Sequence, residues 1–410
     1  MAELDRRAFL TGSTLLLGAG CRRAPLASPA SPVIAPPSAP APAPAPTHAL
    51  FDAYPALANN LPRVALGCFP SAIAHATSLF DDGRVYIKRD DDFTRSLSYA
   101  PAATALPASE LAAAFGGGKV RKLELYFGAA RAQGKKRLIT TGGVGSNQAL
   151  AVALLGRALG FDVRVYLAPQ PASSLTTKNL AADAAAHADM RLFDTVGDAH
   201  ARALRDAKEL GDTYVIPPGG TTPLGTLGFV NAGLELAEDV RAGRMPAPRR
   251  VYVALGLGGS AAGLAIGCAL GGLRTEIVAV RASSPGSVTE RTLRTIHDET
   301  IAFARANDAT FPAMKIEETK VRIDGRFVGA GYGVPTPAGT DAITRAQKAE
   351  GWDLDPVYTG KALAALVDDT KRGEQGPLLF WNTMSSRTVA LETIPATFQR
   401  FVRAEAKAGR

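Results

Sequence analysis

The stretch Phe115-Gly-Gly-Gly-Lys-Val-Arg-Lys-Leu-Glu124 sets a lysine, Lys119, on a glycine-rich turn just before a segment with helical periodicity. Glycines let other groups approach closely, and a helix start adds a partial positive charge. A lysine desolvated in such a place, beside Arg121 and Lys122, has reason to lose its proton near neutral pH. A neutral amine forms an imine with an aldehyde. Taken alone, the turn reads more readily as a surface loop with solvated charges. The segments downstream decide between the two.

Strand-like and helix-like segments alternate on both sides of this turn. Strands are expected at 84–89, 137–141, 162–167, 214–216, 250–255, 276–281 and 377–381. Helices are expected at 120–133, 146–159, 174–187 and 224–240, from Ser260, from Ser287 to about Asn307, and near 338–350 and 360–371. Such alternation predicts an α/β fold with mostly parallel sheets. Residues 93–114 are Ala/Ser-rich without strand character and read as a surface insertion.

The chain of 410 residues has room for two modest domains. It is 46% hydrophobic and 20% charged, the usual balance of a soluble globular protein. The net charge of +8 comes without a run of five basic residues, and aromatics are only 7%. This points to a small anionic substrate rather than to nucleic acid. Three cysteines, Cys21, Cys68 and Cys268, stand far apart without metal-ligand spacing, which argues against zinc. A Cys68–Cys268 disulfide stays open. Cys268, in an apolar Gly/Ala-rich helix, reads as a small buried hydrophobe.

Residues 1–21 read as an address. Arg6 and Arg7 before Phe9 and Leu10 resemble a bacterial twin-arginine export signal, and the apolar run ending at Gly20 is too short to span a bilayer. Small residues before Cys21 resemble a lipoprotein cleavage box. Residues 22–60 are expected to be a linker, with Pro/Ala repeats over 24–47 that favour extended polyproline conformations. The expectation is export to the periplasm, or anchoring there by a lipid on Cys21. Twin-arginine export carries folded proteins, which suits an enzyme that captures a cofactor first.

Three further segments complete a site. Thr140-Thr-Gly-Gly-Val-Gly-Ser-Asn-Gln148 runs from strand to helix. Its amides from Val144 to Asn147 are expected to face a carboxylate or phosphate, although Ser146 also suits a simple helix N-cap. Ala254-Leu-Gly-Leu-Gly-Gly-Ser-Ala-Ala-Gly263 is a second anion cradle. A dinucleotide fingerprint would need glycine where Ala261 stands, although Glu276 lies at about the right distance for a ribose contact. A P-loop fails because Gly118-Lys119 lacks the following Ser or Thr. Gly331–Gly339 and Asp355–Lys361 each carry a tyrosine, Tyr332 and Tyr358, on a loop before a helix.

A lysine that forms an imine, a phosphate cradle, a carboxylate dock and two aromatic hydroxyls together suit pyridoxal phosphate. The sequence also resembles the D-cysteine desulfhydrase/1-aminocyclopropane-1-carboxylate deaminase family, within the tryptophan-synthase-β-like, fold type II pyridoxal enzymes. Leu61–Val64, Ile87–Asp90, Gly117–Glu124, Thr141–Gln148, Gly256–Gly263, Gly331–Pro335 and Asp355–Lys361 carry the resemblance.

The resemblance implies two three-layer α/β/α domains with the cofactor in the cleft between them. The large domain would comprise 61–121 and 229–405, the small one 122–228, in a homodimer. It implies Lys119 as the covalent cofactor lysine, and Ser146, Asn147 and Gln148 meeting substrate and cofactor. Leu257, Gly258, Gly259 and Ser260 would hold the phosphate, and Tyr332 and Tyr358 would flank the ring. Thr359, where deaminases of the family carry glutamate, would face the pyridine nitrogen and suits the desulfhydrase branch. The implied reaction is β-elimination on a small amino acid, with D-cysteine as the substrate indicated. Deamination of a cyclopropane amino acid, another β-substituted alanine or cysteate lyase, and a non-catalytic amino-acid-binding lipoprotein are the rivals. Three departures stand at pocket positions: Gly118 for asparagine, Gly145 for glutamine, and Asn382-Thr383-Met384-Ser385 for His-Thr-Gly-Gly.

Overall fold

Among the described residues, ten strands form two sheets. They are β1 Ile73–His75, β2 Val85–Arg89, β3 Arg137–Gly143, β4 Asp162–Ala168, β5 Asp189–Leu192, β6 Thr213–Ile216, β7 Arg250–Leu255, β8 Glu276–Arg281, β9 Val321–Asp324 and β10 Leu378–Asn382. The six-stranded sheet has the order β1-β2-β10-β7-β8-β9, and the four-stranded sheet β5-β4-β3-β6. Only β1 runs antiparallel to its neighbour. This computed structural model describes residues 48–402 except 68, 82, 93–116, 285 and 387–388. The export signal with Cys21, the Pro/Ala repeats, Cys68 and the insertion at 93–114 lie outside the described residues.

Both sheets are covered on both faces, which is why their strands read as apolar runs. In the larger sheet, Tyr252, Val278, Val280, Leu378 and Phe380 face the helices Pro337–Glu350 and Thr359–Lys371. Val251, Val253, Ile277, Ala279, Leu379 and Trp381 face the opposite layer, built from Pro223–Arg241, Gly259–Leu270 and Glu290–Asn307. The smaller sheet divides likewise. Leu138, Val163, Val165 and Leu167 pack towards Lys119–Ala132, Asn147–Ala158 and Ser174–Ala185. Ile139 and Tyr166 meet Ala199 and Ala203 of Val196–Leu210 on the other face. Cys268 is buried and free, its thiol pushed up to about 12 by burial.

Two expectations about boundaries need correction. The linker does not reach residue 60, because Ala49–Ala53 and Pro55–Asn60 are short helices of the folded body. Leu50 and Leu57 are fully buried with Leu227, Val230, Ile301 and Phe311, and the Leu50 amide donates to Asn231 Oδ1 at 3.0 Å. The spacing Leu50, Tyr54, Leu57, Leu61 carried that signal. The divisions at 121/122 and 228/229 fall inside continuous helices, Lys119–Ala132 and Pro223–Arg241. These helices touch backbone to backbone there: a Cβ on Gly228 would lie 2.2 Å from the Arg121 carbonyl oxygen.

If the 49–60 segment belongs to the cooperative core, Leu57→Ala should cost about 2–5 kcal/mol of unfolding free energy. Denaturant titration of the full chain measures this. A shift within about 0.5 kcal/mol, the range of surface substitutions, would place the segment outside the core.

Candidate active site

A cavity of about 360 Å³ opens at the carboxyl ends of the parallel strands of both sheets. Gly143 ends β3 and Ser146 follows it, Gly256 to Ser260 follow β7, Ser283 follows β8 and Thr383 follows β10. Parallel strands aim their helix N-termini at this end, so ligands gather there. Glu276, by contrast, heads β8 at the other end of the sheet and pairs with Arg250 and Arg322, leaving no ribose contact for it to make.

The turn after β7 forms an anion cradle. Gly258 takes φ +98°, a conformation that favours glycine, and the helix Gly259–Leu270 starts with free amides at Gly259 and Ser260. A Cβ on Gly259 would stand 3.1 Å from both Lys122 Nζ and Thr226 Oγ1. The Thr226 hydroxyl is buried without a partner among the described residues. Lys122 Nζ donates to the Gly219 carbonyl at 3.2 Å. Burial, and then the neighbouring charge of Lys119, hold the Lys122 amine well below the ordinary lysine range. The Lys122 amine, the Thr226 hydroxyl and a helix start thus converge where a dianion would be stabilised.

Lys119 begins its helix one turn before Lys122, so both project to the same side. Burial lowers its amine to about 8, and the Asp355 carboxylate pulls the other way. A side chain at Gly118 would crowd Phe229 Cζ and Thr383 Cγ2, each 3.0 Å from a Cβ there.

At the turn after β3 the expectation is only partly met. Three of the four amides expected to face a ligand are used internally. Val144 donates to the Ala168 carbonyl and Ser146 to that of Gly143, while Gly145 donates to Gln170 Oε1 at 3.1 Å. The amides of Asn147 and Gln148 remain free at the helix start. Ser146 is the N-cap, accepting from the Ala149 amide at 3.2 Å. Asn147 is held by Asn179, which donates to its Oδ1 at 3.0 Å and to the Gly145 carbonyl at 2.9 Å. Gln148 lines the cavity, buried, with both ends of its amide unpartnered.

Across the cavity, Tyr358 Oη donates to Tyr332 Oη at 2.9 Å. Burial raises both phenols above their ordinary range, so both stay protonated at neutral pH. Met384 packs against this pair, and its sulfur accepts from Asn147 Nδ2 at 3.9 Å. Thr359 is the expected site residue that does not line the cavity. Its hydroxyl donates to Asp355 Oδ2 at 2.9 Å and accepts from the Asp355 amide at 2.8 Å. Asp355 also receives the amides of Val357 and Tyr358, so it caps the following helix and draws the threonine inward. The carboxylate that reaches the cavity wall is Asp355.

Sequence reasoning thus collected Lys119, Ser146, Asn147, Gln148, Leu257, Gly258, Gly259, Ser260, Tyr332 and Tyr358 at one cavity. It missed Thr226, Gln170, Asn179 and Asp355. It also passed over the cradle role of Lys122, which the helical spacing from Lys119 signals.

The fold is similar to that of an ACC deaminase homologue, with a TM-score of 0.65 at 28% identity, covering 82% of this chain and 95% of that one. It shares its fold with the processed form of threonine deaminase isoform 2 from Solanum lycopersicum, at TM-score 0.52 and 18% identity, over 82% and 88% of the two chains. Together with the lysine and the cradle, this defines a fold type II, pyridoxal-phosphate-binding architecture. The chain is 33% identical over 336 residues to nocardicin C-9' epimerase of Nocardia uniformis subsp. tsuyamanensis, covering 80% of this chain and 94% of that protein. It is 32% identical over 337 residues to D-cysteine desulfhydrase of Salmonella choleraesuis, covering 78% and 93%. The pyridoxal-phosphate dependent enzyme family matches residues 109–383. The chain belongs to that family.

The residues present fit the cofactor: the Gly259 cradle with Lys122 and Thr226 suits the phosphate, and Lys119 suits the aldehyde. With an amine at about 8, about a tenth of Lys119 is neutral at pH 7 and about half at pH 8. Cofactor uptake by apo-protein, followed by absorbance, should therefore quicken about tenfold from pH 7 to 9 and then level off. A rate still climbing steeply to pH 10 would assign the reaction to an ordinary exposed lysine. Lys122→Gln should weaken pyridoxal phosphate about 10- to 100-fold, the worth of one charge-assisted hydrogen bond, and leave pyridoxal nearly unaffected. Equilibrium dialysis of both vitamers decides this, and equal losses would remove Lys122 from the phosphate.

Proposed function

We propose that this chain is a lyase for β-elimination on a small amino acid, with D-cysteine as substrate and sulfide, pyruvate and ammonia as products. One water is consumed in balance. The observation that carries this reading is the convergence on one cavity of a lysine with a lowered pKa, a phosphate cradle and an unsatisfied carboxylate dock. The likeness to D-cysteine desulfhydrase supports the choice of substrate.

Pyridoxal phosphate, when bound, supplies the aldehyde carbon and a ring that delocalises charge from the substrate Cα. The protein supplies the rest. The free amides of Asn147 and Gln148 hold the substrate carboxylate at a helix start. The amine of Lys119, lowered to about 8 by burial, would serve as the base that removes the Cα proton. The Tyr358 hydrogen is spent on Tyr332, which leaves the Tyr332 hydrogen for the departing sulfur.

Loaded enzyme given D-cysteine should release sulfide and pyruvate in equal amounts, and Lys119→Ala should release neither. Ammonia without sulfide from 1-aminocyclopropane-1-carboxylate would reassign the chain to deamination. Exchange of the Cα proton with solvent and no product would align it instead with the epimerase relative.

A further inference from the structure

We propose that Lys361 is a positioning residue whose ammonium clamps the loop that carries Tyr332 and so fixes the tyrosine pair over the cavity. The clamp is read from geometry; what Tyr332 does there rests on the function proposed above. Lys361 sits in the first turn of the helix Thr359–Lys371 and is fully buried. Its Nζ donates to the Val328 carbonyl at 2.9 Å and to the Gly331 carbonyl at 3.3 Å. These two carbonyls are its hydrogen-bond partners among the described residues. The Gly331 carbonyl belongs to the peptide group that leads into Tyr332. Burial lowers the amine, and the Asp355 carboxylate pulls the other way. A buried ammonium is costly unless its donors are used, and here they go to backbone rather than to a carboxylate.

The loop needs such a tie. It runs over 325–336, between β9 and the helix Pro337–Glu350, with no strand or helix of its own. Among the described residues its backbone makes only two bonds within itself, from Val328 to Gly325 and from Val334 to Gly331, each at 3.5 Å. Gly329, Gly331 and Gly333 take φ +65°, +132° and +79°, and residues this permissive lose the most freedom when ordered. The two ends are pinned elsewhere. Arg326 pairs with Asp324, Asp368 and Asp369, and Thr336 caps the next helix. Lys361 is the tie between them. Tyr358 is referred to the same helix start, because its amide donates to Asp355 Oδ1 at 2.7 Å. The 2.9 Å contact between the two phenols therefore depends on two backbone anchors, Asp355 for Tyr358 and Lys361 for Tyr332. Both tyrosines line the cavity, and Lys361 acts from behind its wall.

The test uses the full chain loaded with pyridoxal phosphate. In Lys361→Met, hydrogen–deuterium exchange over 325–336 should quicken about tenfold or more, while β9 and the rest of the helix Thr359–Lys371 stay close to wild type. With D-cysteine, Lys361→Met and Tyr332→Phe should each lower kcat about tenfold or more and change KM by less than about threefold. The double variant should be no slower than the slower single variant, because the lysine acts through the tyrosine. Lys361→Arg, which keeps the charge and the donors, should stay nearer to wild type than Lys361→Met in both measurements. Should Lys361→Met fail to fold, Lys361→Gln, with two donors on a shorter stem, carries the same comparisons with smaller effects. Unchanged exchange over 325–336 overturns this inference alone, and so do losses in kcat that multiply in the double variant. Wild-type enzyme that releases no sulfide overturns the function proposed above, and the exchange measurement then decides the clamp by itself.

Discussion

A single buried guanidinium holds together the elements that build the site. Arg121 donates twice to Asp90, with both bonds at 2.8 Å, to Glu235 at 3.0 Å and to Ser71 Oγ at 3.0 Å. It stands 4.6 Å from the centre of the Phe69 ring and 5.7 Å from that of Trp381. Asp90 in turn accepts from Trp381 Nε1 at 2.7 Å, and its carbonyl accepts the Gly117 amide at 2.9 Å. The end of β2, the helix Pro223–Arg241, strand β10 and the turn before Lys119 therefore meet at one side chain. A buried ion pair of this kind adds little net stability, but losing one partner costs about 3–5 kcal/mol. Its consequence here is geometric: Lys119 starts a helix whose third residue cannot move. The planar fork of arginine serves two carboxylates at once, which a lysine ammonium does not do.

That rigidity matters because the cavity concentrates like charge. Lys119 and Lys122 lie one turn apart in a buried site, opposed by the single wall carboxylate of Asp355. Burial lowers both amines, Lys119 to about 8, and the charge of Lys119 further disfavours protonation of Lys122. A phosphate dianion bound in the Gly259 cradle would offset this concentration of like charge.

The parts legible in the sequence are those made from backbone. Anion cradles need glycines and a strand-to-helix step in consecutive residues, so the turns at 142–148 and 256–260 could be read directly. What the sequence hid came from tertiary approach. Asp355 carries no signal of its own in the sequence, because only the folded turn shows its carboxylate taking the Thr359 hydroxyl. Asn179 and Gln170 sit on elements remote in sequence from the turn they clamp. Strands β1, β5 and β9 went unseen because they are short edge strands with half-exposed faces. The helix Val196–Leu210 was legible and went unread: its polar and apolar residues segregate at helical spacing, with Ala199, Ala203 and Asp206 on the buried side.

The departures from the family pattern have been absorbed in two different ways. At Gly118 the missing side chain is replaced by the Phe229 ring and the Thr383 methyl, so a polar group beside the lysine has given way to apolar surface. At Gly145 the missing side chain is replaced by the Gln170 carboxamide, so polarity beside the carboxylate dock is kept. Met384 adds a flexible apolar side chain against the tyrosine pair. Polar groups persist beside it: Thr383 lines the cavity, and Asn382 Oδ1 accepts the Met384 amide at 3.2 Å, so the apolar side chain is fixed by polar backbone contacts.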